Sequence, residues 1–122
     1  MKKMTIDSLF NDYSKKSYVE GTLLMSKVGT PIAGNKPKDV LEPSFVPLAS
    51  VTYEGANELA ATTGREFKEM TIELTNGSRI IIRQVLGSYL LAVEVQRYDD
   101  KVRDDIESLT DQLSQLISKY DQ

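Results

Sequence analysis

Three consecutive segments in the second half of the chain show the hydrophobic patterns of β-strands. In Phe67–Thr75, apolar and polar residues alternate, which is typical of a strand with one wet face and favours a position near a sheet edge. In Ser78–Leu86 and Tyr89–Gln96, apolar residues occupy both alternating sets of positions. A strand that is apolar on both faces needs cover on both faces, so the pattern predicts a sheet between two layers.

Two short connections join these segments into a predicted meander. Asn76-Gly77 is a strong hairpin signal, because both residue types tolerate a positive φ. Gly87-Ser88 is a second candidate for a two-residue turn. We therefore expect the three segments to pair in sequence order.

An earlier hairpin precedes the meander. Val19–Lys27 has apolar residues on both faces and is predicted to be an interior strand. Val28-Gly29 is its turn, and Thr30–Gly34 is a short return strand. Because Pro31 lacks a backbone N–H, the return strand is expected at a sheet edge.

Both ends of the chain have the patterns of amphipathic helices. A first helix is predicted to open at Thr5, a residue type that caps helices. A final helix is predicted to start at Asp99 or Asp100, where acidic residues suit the positive end of a helix. We interpret its apolar seam as cover for the open sheet face rather than as a free coiled coil. The seam consists of Val102, Ile106, Leu109, Leu113, Leu116 and Tyr120.

A long middle helix is predicted over Phe45–Thr63, after a polar loop at Asn35–Glu42 and before Gly64, which suits a helix end. It carries two stripes separated by roughly 120° on the 3.6-residue period. The stripe expected on the sheet is Phe45, Leu48, Ala49, Thr52, Ala56, Leu59 and Ala60. The second, semi-polar stripe is expected to face outward, with a composition common at interfaces. It is Val46, Ser50, Tyr53, Asn57 and Ala61.

These elements predict one domain over residues 1–122, with the order αββαβββα. The fold class is α/β in the broad sense and α+β more narrowly. We expect a three-layer sandwich in which a five-stranded, mainly antiparallel sheet carries the long middle helix on one face and the terminal helices on the other.

Composition removes several classes of chemistry. The chain has no cysteine or histidine, which excludes thiolate metal sites, cysteine nucleophiles and the commonest general base. Its net charge is −3, so no basic field attracts nucleic acid. It has no phosphate-binding loop motif and no apolar run long enough to cross a membrane. We expect a cytoplasmic protein with no catalytic residue, metal or cofactor.

The charged residues have simpler explanations than catalysis. The acidic cluster beside the last helix is explained by the positive end of that helix, and we expect no metal there. Four arginines lie on or beside predicted strands or after the middle helix, where one could in principle reach a partner's phosphate. We expect all four to be solvated surface residues: Arg65, Arg79, Arg83 and Arg97.

The predicted edge strand suggests self-association. An edge strand without proline is a template for pairing with another chain, and Phe67–Thr75 is such a strand. The outward stripe of the middle helix would meet its symmetry mate if two such edges paired about a twofold axis. We therefore predict a homodimer whose interface contains Ser50, Tyr53, Asn57, Met70, Thr71, Ile72, Glu73 and Leu74.

The chain also resembles the Roadblock family, the dynein-light-chain-type domain. The resemblance spans Thr5 to Ile117 and rests on the hairpin Gly21–Ala33 (GTLLMSKVGTPIA), the alanine-bearing helix Leu48–Gly64 and the YLLAV of the last strand. It implies a non-enzymatic dimer built through the third strand and the second helix. These elements correspond here to the predicted edge strand and the middle helix.

The resemblance implies a partner as well. Members of the family scaffold or regulate small Ras-like GTPases, and others belong to dynein complexes. The function expected from this resemblance is a dimeric adaptor that scaffolds such a GTPase or stimulates its hydrolysis. The expected partner-binding residues are Val46, Ser50, Tyr53, Glu54 and Asn57.

Two other functions stay open at the level of sequence. A pocket between sheet and helices would make the chain a small-ligand sensor, although the expected sheet-facing residues include few convergent polar groups. A structural subunit of a motor or tethering complex would differ from the adaptor only in its partner.

Overall fold

The computed structural model describes residues 5–35 and 44–120, so the predicted loop Asn35–Glu42 lies almost wholly outside the described residues. Within these two ranges, three helices and five strands follow one another in the predicted order. Their bounds are α1 Ile6–Ser14, β1 Val19–Ser26, β2 Pro31–Ala33, α2 Phe45–Ala61, β3 Glu69–Glu73, β4 Arg79–Val85, β5 Tyr89–Val95 and α3 Asp100–Tyr120.

The strands form one antiparallel sheet in the order β2-β1-β5-β4-β3. β2 and β3 therefore occupy the two edges, which confirms the positions predicted from Pro31 and from the alternating pattern. β5 lies at the centre of the sheet, and its residues from Leu90 to Val95 are all buried. This burial is what a strand that is apolar on both faces requires.

Helices cover both faces of the sheet, which confirms the three-layer sandwich. On one face, α1 and α3 share a core with the sheet that includes Phe10, Leu91 and Ile106. On the other face, α2 is the helix that packs against the sheet among the described residues, around Tyr53 and Met25. The apolar seam of α3 covers the sheet: Val102, Ile106, Leu109 and Leu113 are buried as predicted, and Leu116 packs half-buried against the same core. Ile117 is buried although it was not in the predicted seam, and the side chain of Tyr120 lies outside what the structure describes.

Side chains at the start of α1 and α3 fix where these helices begin. The hydroxyl of Thr5 accepts a hydrogen bond from the Ser8 N–H at 3.0 Å, and the Ser8 hydroxyl accepts one from the Thr5 N–H at 2.9 Å. Before α3, Asp99 Oδ1 accepts from the Val102 N–H at 2.9 Å. The capping roles predicted for Thr5 and Asp99 are therefore confirmed.

The turn between β4 and β5 differs from the sequence prediction. Positive φ values fall on Leu86 (+56°) and Gly87 (+82°) rather than on Gly87-Ser88. The reason is the register, because Val85 pairs with Tyr89 and leaves three residues in the loop. The chain must reverse at Leu86, the first of the three. The left-handed backbone conformation costs a leucine about 1 kcal/mol.

Candidate interaction surface

A short inner face holds α2 on the sheet. Val46, Ala49 and Tyr53 are buried and lie at i, i+3 and i+7. The ring centroid of Tyr53 is 4.9 Å from that of Phe67, and its hydroxyl donates a hydrogen bond to Gln84 Oε1 at 2.6 Å. Burial raises the pKa of Tyr53 above its ordinary value. Tyr53 is therefore an anchor of α2 within its own subunit.

The predicted orientation of α2 is wrong, because the helix is rotated by roughly 60° from the orientation expected. Val46 and Tyr53, expected on the outward stripe, are buried, whereas Leu48 and Leu59, expected on the sheet, are exposed. The two stripes differ little in hydrophobic content, so periodicity alone does not fix the rotation. Tyr53 decides it, because it gains a large buried area and a hydrogen bond.

The outward side of α2 carries an apolar stripe, which we call the outer stripe and define as Leu48, Val51, Gly55 and Leu59. Leu48 is 61% exposed, Val51 69% and Leu59 71%. A Cβ added at Gly55 would meet nothing within 4 Å, so no contact inside the subunit requires glycine there. The four residues lie within about 80° on the helix surface. The sequence interpretation missed Val51, although its i+3 spacing from Leu48 is a usable signal.

A polar flank runs beside the outer stripe. Ser50 is half-buried, and its hydroxyl donates a hydrogen bond to the backbone carbonyl of Lys27 at the end of β1. Glu54 and Asn57 are exposed. Of the five residues expected to bind a partner, Glu54 and Asn57 are therefore accessible. Ser50 is partly used inside the subunit, and Val46 and Tyr53 belong to the inner face.

The edge strand β3 is shorter than the predicted Phe67–Thr75. Thr71, Ile72 and Glu73 are exposed, while Met70 is half-buried. Ile72 pairs with Ile80, which packs in the core on the α2 side of the sheet. The side chain of Ile72 is therefore on the same sheet face as α2. Leu74 lies just beyond the strand and is half-buried.

Within residues 5–35 and 44–120, β3 has a neighbouring strand on one side only, which is β4. The backbone groups on its other side form an open row that another strand could pair with. The open edge and the outer stripe together form the candidate interaction surface.

Arg83 contradicts the expectation that all four arginines are solvated. It is only 5% exposed, on the face of the sheet that α3 covers. Its Nε lies 3.3 Å from Glu69 Oε1 on β3, and its Nη2 lies 3.4 Å from Glu107 Oε1 on α3. The physical reason is that two carboxylates compensate the buried cation. Arg83 is therefore not available to a partner's phosphate.

A second polar cluster joins the segment between α1 and β1 to α3. The Tyr18 hydroxyl donates to Asp105 Oδ2 at 2.5 Å, and the ammonium groups of Lys16 and Lys101 each lie 3.7 Å from the same oxygen. The hydrogen bond from Tyr18, with both lysines, holds the pKa of Asp105 below its ordinary value. Burial raises the pKa of Tyr13 to about 12. Tyr13, Lys16 and Asp105 line a cleft of about 260 Å³ between α1 and α3.

The described residues offer no metal centre and no membrane-spanning helix. Among them, no three carboxylates are arranged to hold a metal ion together. In the same part of the chain, no helix is both long and apolar enough to span a bilayer.

Comparisons with known proteins find likeness in structure and not in sequence. No protein-family model matches the chain, and no curated protein matches it. The solved structure of Myxococcus xanthus MglB is 20% identical with a TM-score of 0.83, covering 97% of this chain and 99% of MglB. The gliding protein MglB from Thermus thermophilus is 13% identical with a TM-score of 0.78, covering 92% and 87%.

A Roadblock/LC7 domain from Streptomyces avermitilis gives a similar result. It is 14% identical, with a TM-score of 0.79, and the match covers 92% of this chain and 97% of that domain. At these identities, the likeness is one of fold. The fold agrees with the resemblance found in the hairpin, the middle helix and the last strand. The chain therefore has the Roadblock/LC7 fold.

Proposed function

We propose that this chain is a non-enzymatic, dimeric adaptor that binds a small Ras-like GTPase. The observation that carries the proposal is the outer stripe, where Leu48, Val51 and Leu59 are each more than 60% exposed on a helix whose inner face is already filled. Apolar side chains grouped on one exposed face are typical of interaction sites. The likeness to MglB and to a Roadblock/LC7 domain supports the same interpretation.

The proposed dimer joins two copies at the β3 edge and at α2. In a twofold interface, each patch must be complementary to itself. Val51 and Leu59 lie four residues on either side of Gly55, so an antiparallel pair of helices crossing at Gly55 would set Val51 of one copy against Leu59 of the other. Pairing of two β3 strands would satisfy the open backbone row.

The residues expected from sequence take revised roles in this proposal. Thr71, Ile72 and Glu73 contribute the edge, together with the flanking Met70 and Leu74. Ser50, Glu54 and Asn57 form a polar rim beside the outer stripe, as the borders of interfaces commonly do. Val46 and Tyr53 contribute indirectly to the interface, because their burial fixes the orientation in which α2 exposes the outer stripe.

The GTPase is proposed to bind across the paired α2 helices. Because Arg83 is buried beneath α3, we propose that it donates no charge to the nucleotide. An effect on hydrolysis would then come from ordering the GTPase's own catalytic residues. Unchanged hydrolysis rates with bound adaptor would reduce the role to scaffolding.

Sedimentation and binding measurements on outer-stripe variants test the proposal. We expect Val51→Ser and Leu59→Ser to remain folded, because both side chains are exposed, yet to weaken the dimer and the binding of GTP-loaded or GDP-loaded Ras-like GTPases from the same genome. Val28→Ser is a matched control, since Val28 is 88% exposed but lies in the β1–β2 turn. A compact monomer at micromolar concentration that binds no GTPase in either nucleotide state would refute the adaptor.

The ligand-sensor alternative receives less support. The 260 Å³ cleft lies between α1 and α3, outside the sheet–α2 layer, and its lysine and aspartate are paired with each other. A metabolite that raises the melting temperature in a thermal-shift screen would favour the sensor over the adaptor. The structural-subunit alternative would show the same dimer with a partner other than a GTPase.

A further inference from the structure

A partly buried ion network ties the start of the edge strand to α3. Arg83 on β4 lies between Glu69, the first residue of β3, and Glu107 on α3. The side chain of Arg83 is 6% exposed and that of Glu69 is 17% exposed, whereas that of Glu107 is 41% exposed. The charges of Arg83 and Glu69 are thus largely withdrawn from water, and Arg83 depends on the two carboxylates for compensation.

Lys68 and Tyr98 also contact the two glutamates of this network. Lys68 Nζ lies 2.8 Å from the same Glu107 oxygen that faces Arg83. The Tyr98 hydroxyl donates a hydrogen bond to Glu69 from the loop that precedes α3. Lys68 and Arg83 together hold the pKa of Glu107 below its ordinary value. Both Lys68 and Glu69 therefore contact residues on or next to α3.

In the part of the chain that the structure describes, the other end of β3 has no such connection to α3. Arg79 on β4 pairs across the strands with Glu73 on β3, with 3.1 Å between Nη2 and Oε1. Their side chains are 32% and 67% exposed. Exposed pairs of this kind contribute little to stability. The two arginine–glutamate pairs thus occupy equivalent places in one ladder, and only one of them reaches α3.

We infer that Arg83 is a positioning residue for the open edge, and that it couples the docking of α3 to the order of β3. This inference rests on the proposed function, because it concerns the strand through which two copies are proposed to pair. If α3 moves away at Glu107, Arg83 loses one of its two carboxylates and keeps only its pair with Glu69. Among the described residues, β3 has one neighbouring strand and Met70 packs on the α2 side, so the contact with α3 supports the opposite face of the strand.

The coupling gives the adaptor a means of regulation. A partner that displaces the first turns of α3 loosens the β3 edge and weakens self-association. Conversely, pairing of two β3 edges fixes Glu69 and strengthens the docking of α3, because coupling between two sites is reciprocal.

Hydrogen exchange in the full chain, measured at a dilution where it is monomeric, tests the coupling without a dimer. We expect Arg83→Met to accelerate the exchange of Glu69–Glu73 amides by about tenfold relative to those of β5. Glu107→Gln keeps the pair of Arg83 with Glu69, so a smaller acceleration of about threefold is expected. Arg79→Met is the matched control, and it should leave the ratio of β3 to β5 exchange unchanged.

Sedimentation of the same variants tests the consequence for self-association. The dimer Kd is expected to rise about tenfold in Arg83→Met and to stay constant in Arg79→Met. Equal acceleration of β3 and β5 in both Arg83→Met and Glu107→Gln would overturn the inference, since Arg83 would then support the whole fold. A looser β3 with an unchanged Kd would overturn the link to the interface.

The two proposals fail in different ways. If the wild-type chain sediments as a monomer at every concentration, the dimer is refuted. The ratio of β3 to β5 exchange still decides whether Arg83 couples α3 to the edge.

Discussion

The two faces of the sheet are covered in different ways. On the α1–α3 face, fifteen of the described residues form one buried core, and on the α2 face eight do. α3 buries a full seam along its length, whereas α2 buries Val46, Ala49 and Tyr53 and exposes large apolar residues on its other side. The first face is closed by the chain itself. The second is covered by one helix whose outer stripe has no neighbour within the described residues.

The two faces of the sheet contribute to different properties: the α1–α3 face mainly to stability, and the α2 face to recognition. Burial of apolar side chains is the dominant favourable term in folding, so the α1–α3 face contributes most of it. The outer stripe of α2 contributes little to the folded subunit and is available to a second protein. Variants on the two faces should therefore change different measurements.

Core truncation on the closed face should have the largest effect. Ile106 on α3 is fully buried, so Ile106→Ala is expected to lower the free energy of unfolding by about 2–5 kcal/mol. Leu59→Ala removes a similar side chain from the outer stripe and should change the stability of the monomer by less than about 0.5 kcal/mol. Urea denaturation of the dilute protein measures both. A large loss in Leu59→Ala would show that the outer stripe is packed within the subunit.

The polar cluster of the closed face predicts an acid-sensitive contribution from Asp105. The pKa of Asp105 is held below its ordinary value by the hydrogen bond from Tyr18, so the native state binds this proton less tightly than the unfolded chain does. Its stabilising contribution is present above about pH 4 and is lost as the pH falls through the lower, folded-state pKa. The stability difference between wild type and Asp105→Asn should therefore shrink as the pH falls from about 5 to about 2.

Asp12 is a control carboxylate that shows whether the pH dependence arises from the cluster around Asp105. Asp12 pairs with Lys15 at 3.8 Å, but both side chains are at least 70% exposed. Asp12→Asn should change stability little at any pH, because exposed ion pairs contribute little. Unfolding free energies measured across the pH range compare the two variants. A constant difference for Asp105→Asn would mean that the Tyr18–Asp105 contact does not stabilise the fold.

Element types, their order and both sheet edges could be predicted from sequence, because hydrophobic periodicity and Pro31 constrain them locally. The rotation of α2 could not, because Tyr53 is placed by Gln84, a residue on a strand far along the chain. The burial of Arg83 was missed for the same reason, since its compensating carboxylates come from β3 and α3. The pattern of apolar and polar residues around one position carries no information about partners that lie far away in the chain.

Gly55, at the centre of the outer stripe, tests most directly whether two copies meet there. A Cβ at this position has no neighbour within 4 Å, so Gly55→Ala should raise the stability of the monomer by about 0.5–1 kcal/mol through helix propensity. In a pair of α2 helices crossing at Gly55, the same methyl group would separate the helices, so the dimer Kd should rise. Ser118→Ala is the control, because it also favours a helix but lies exposed on α3, outside the proposed interface. Thermal unfolding of the dilute protein and sedimentation at higher concentration report the two effects separately. If Gly55→Ala stabilises the monomer and leaves Kd unchanged, two copies do not meet at the outer stripe.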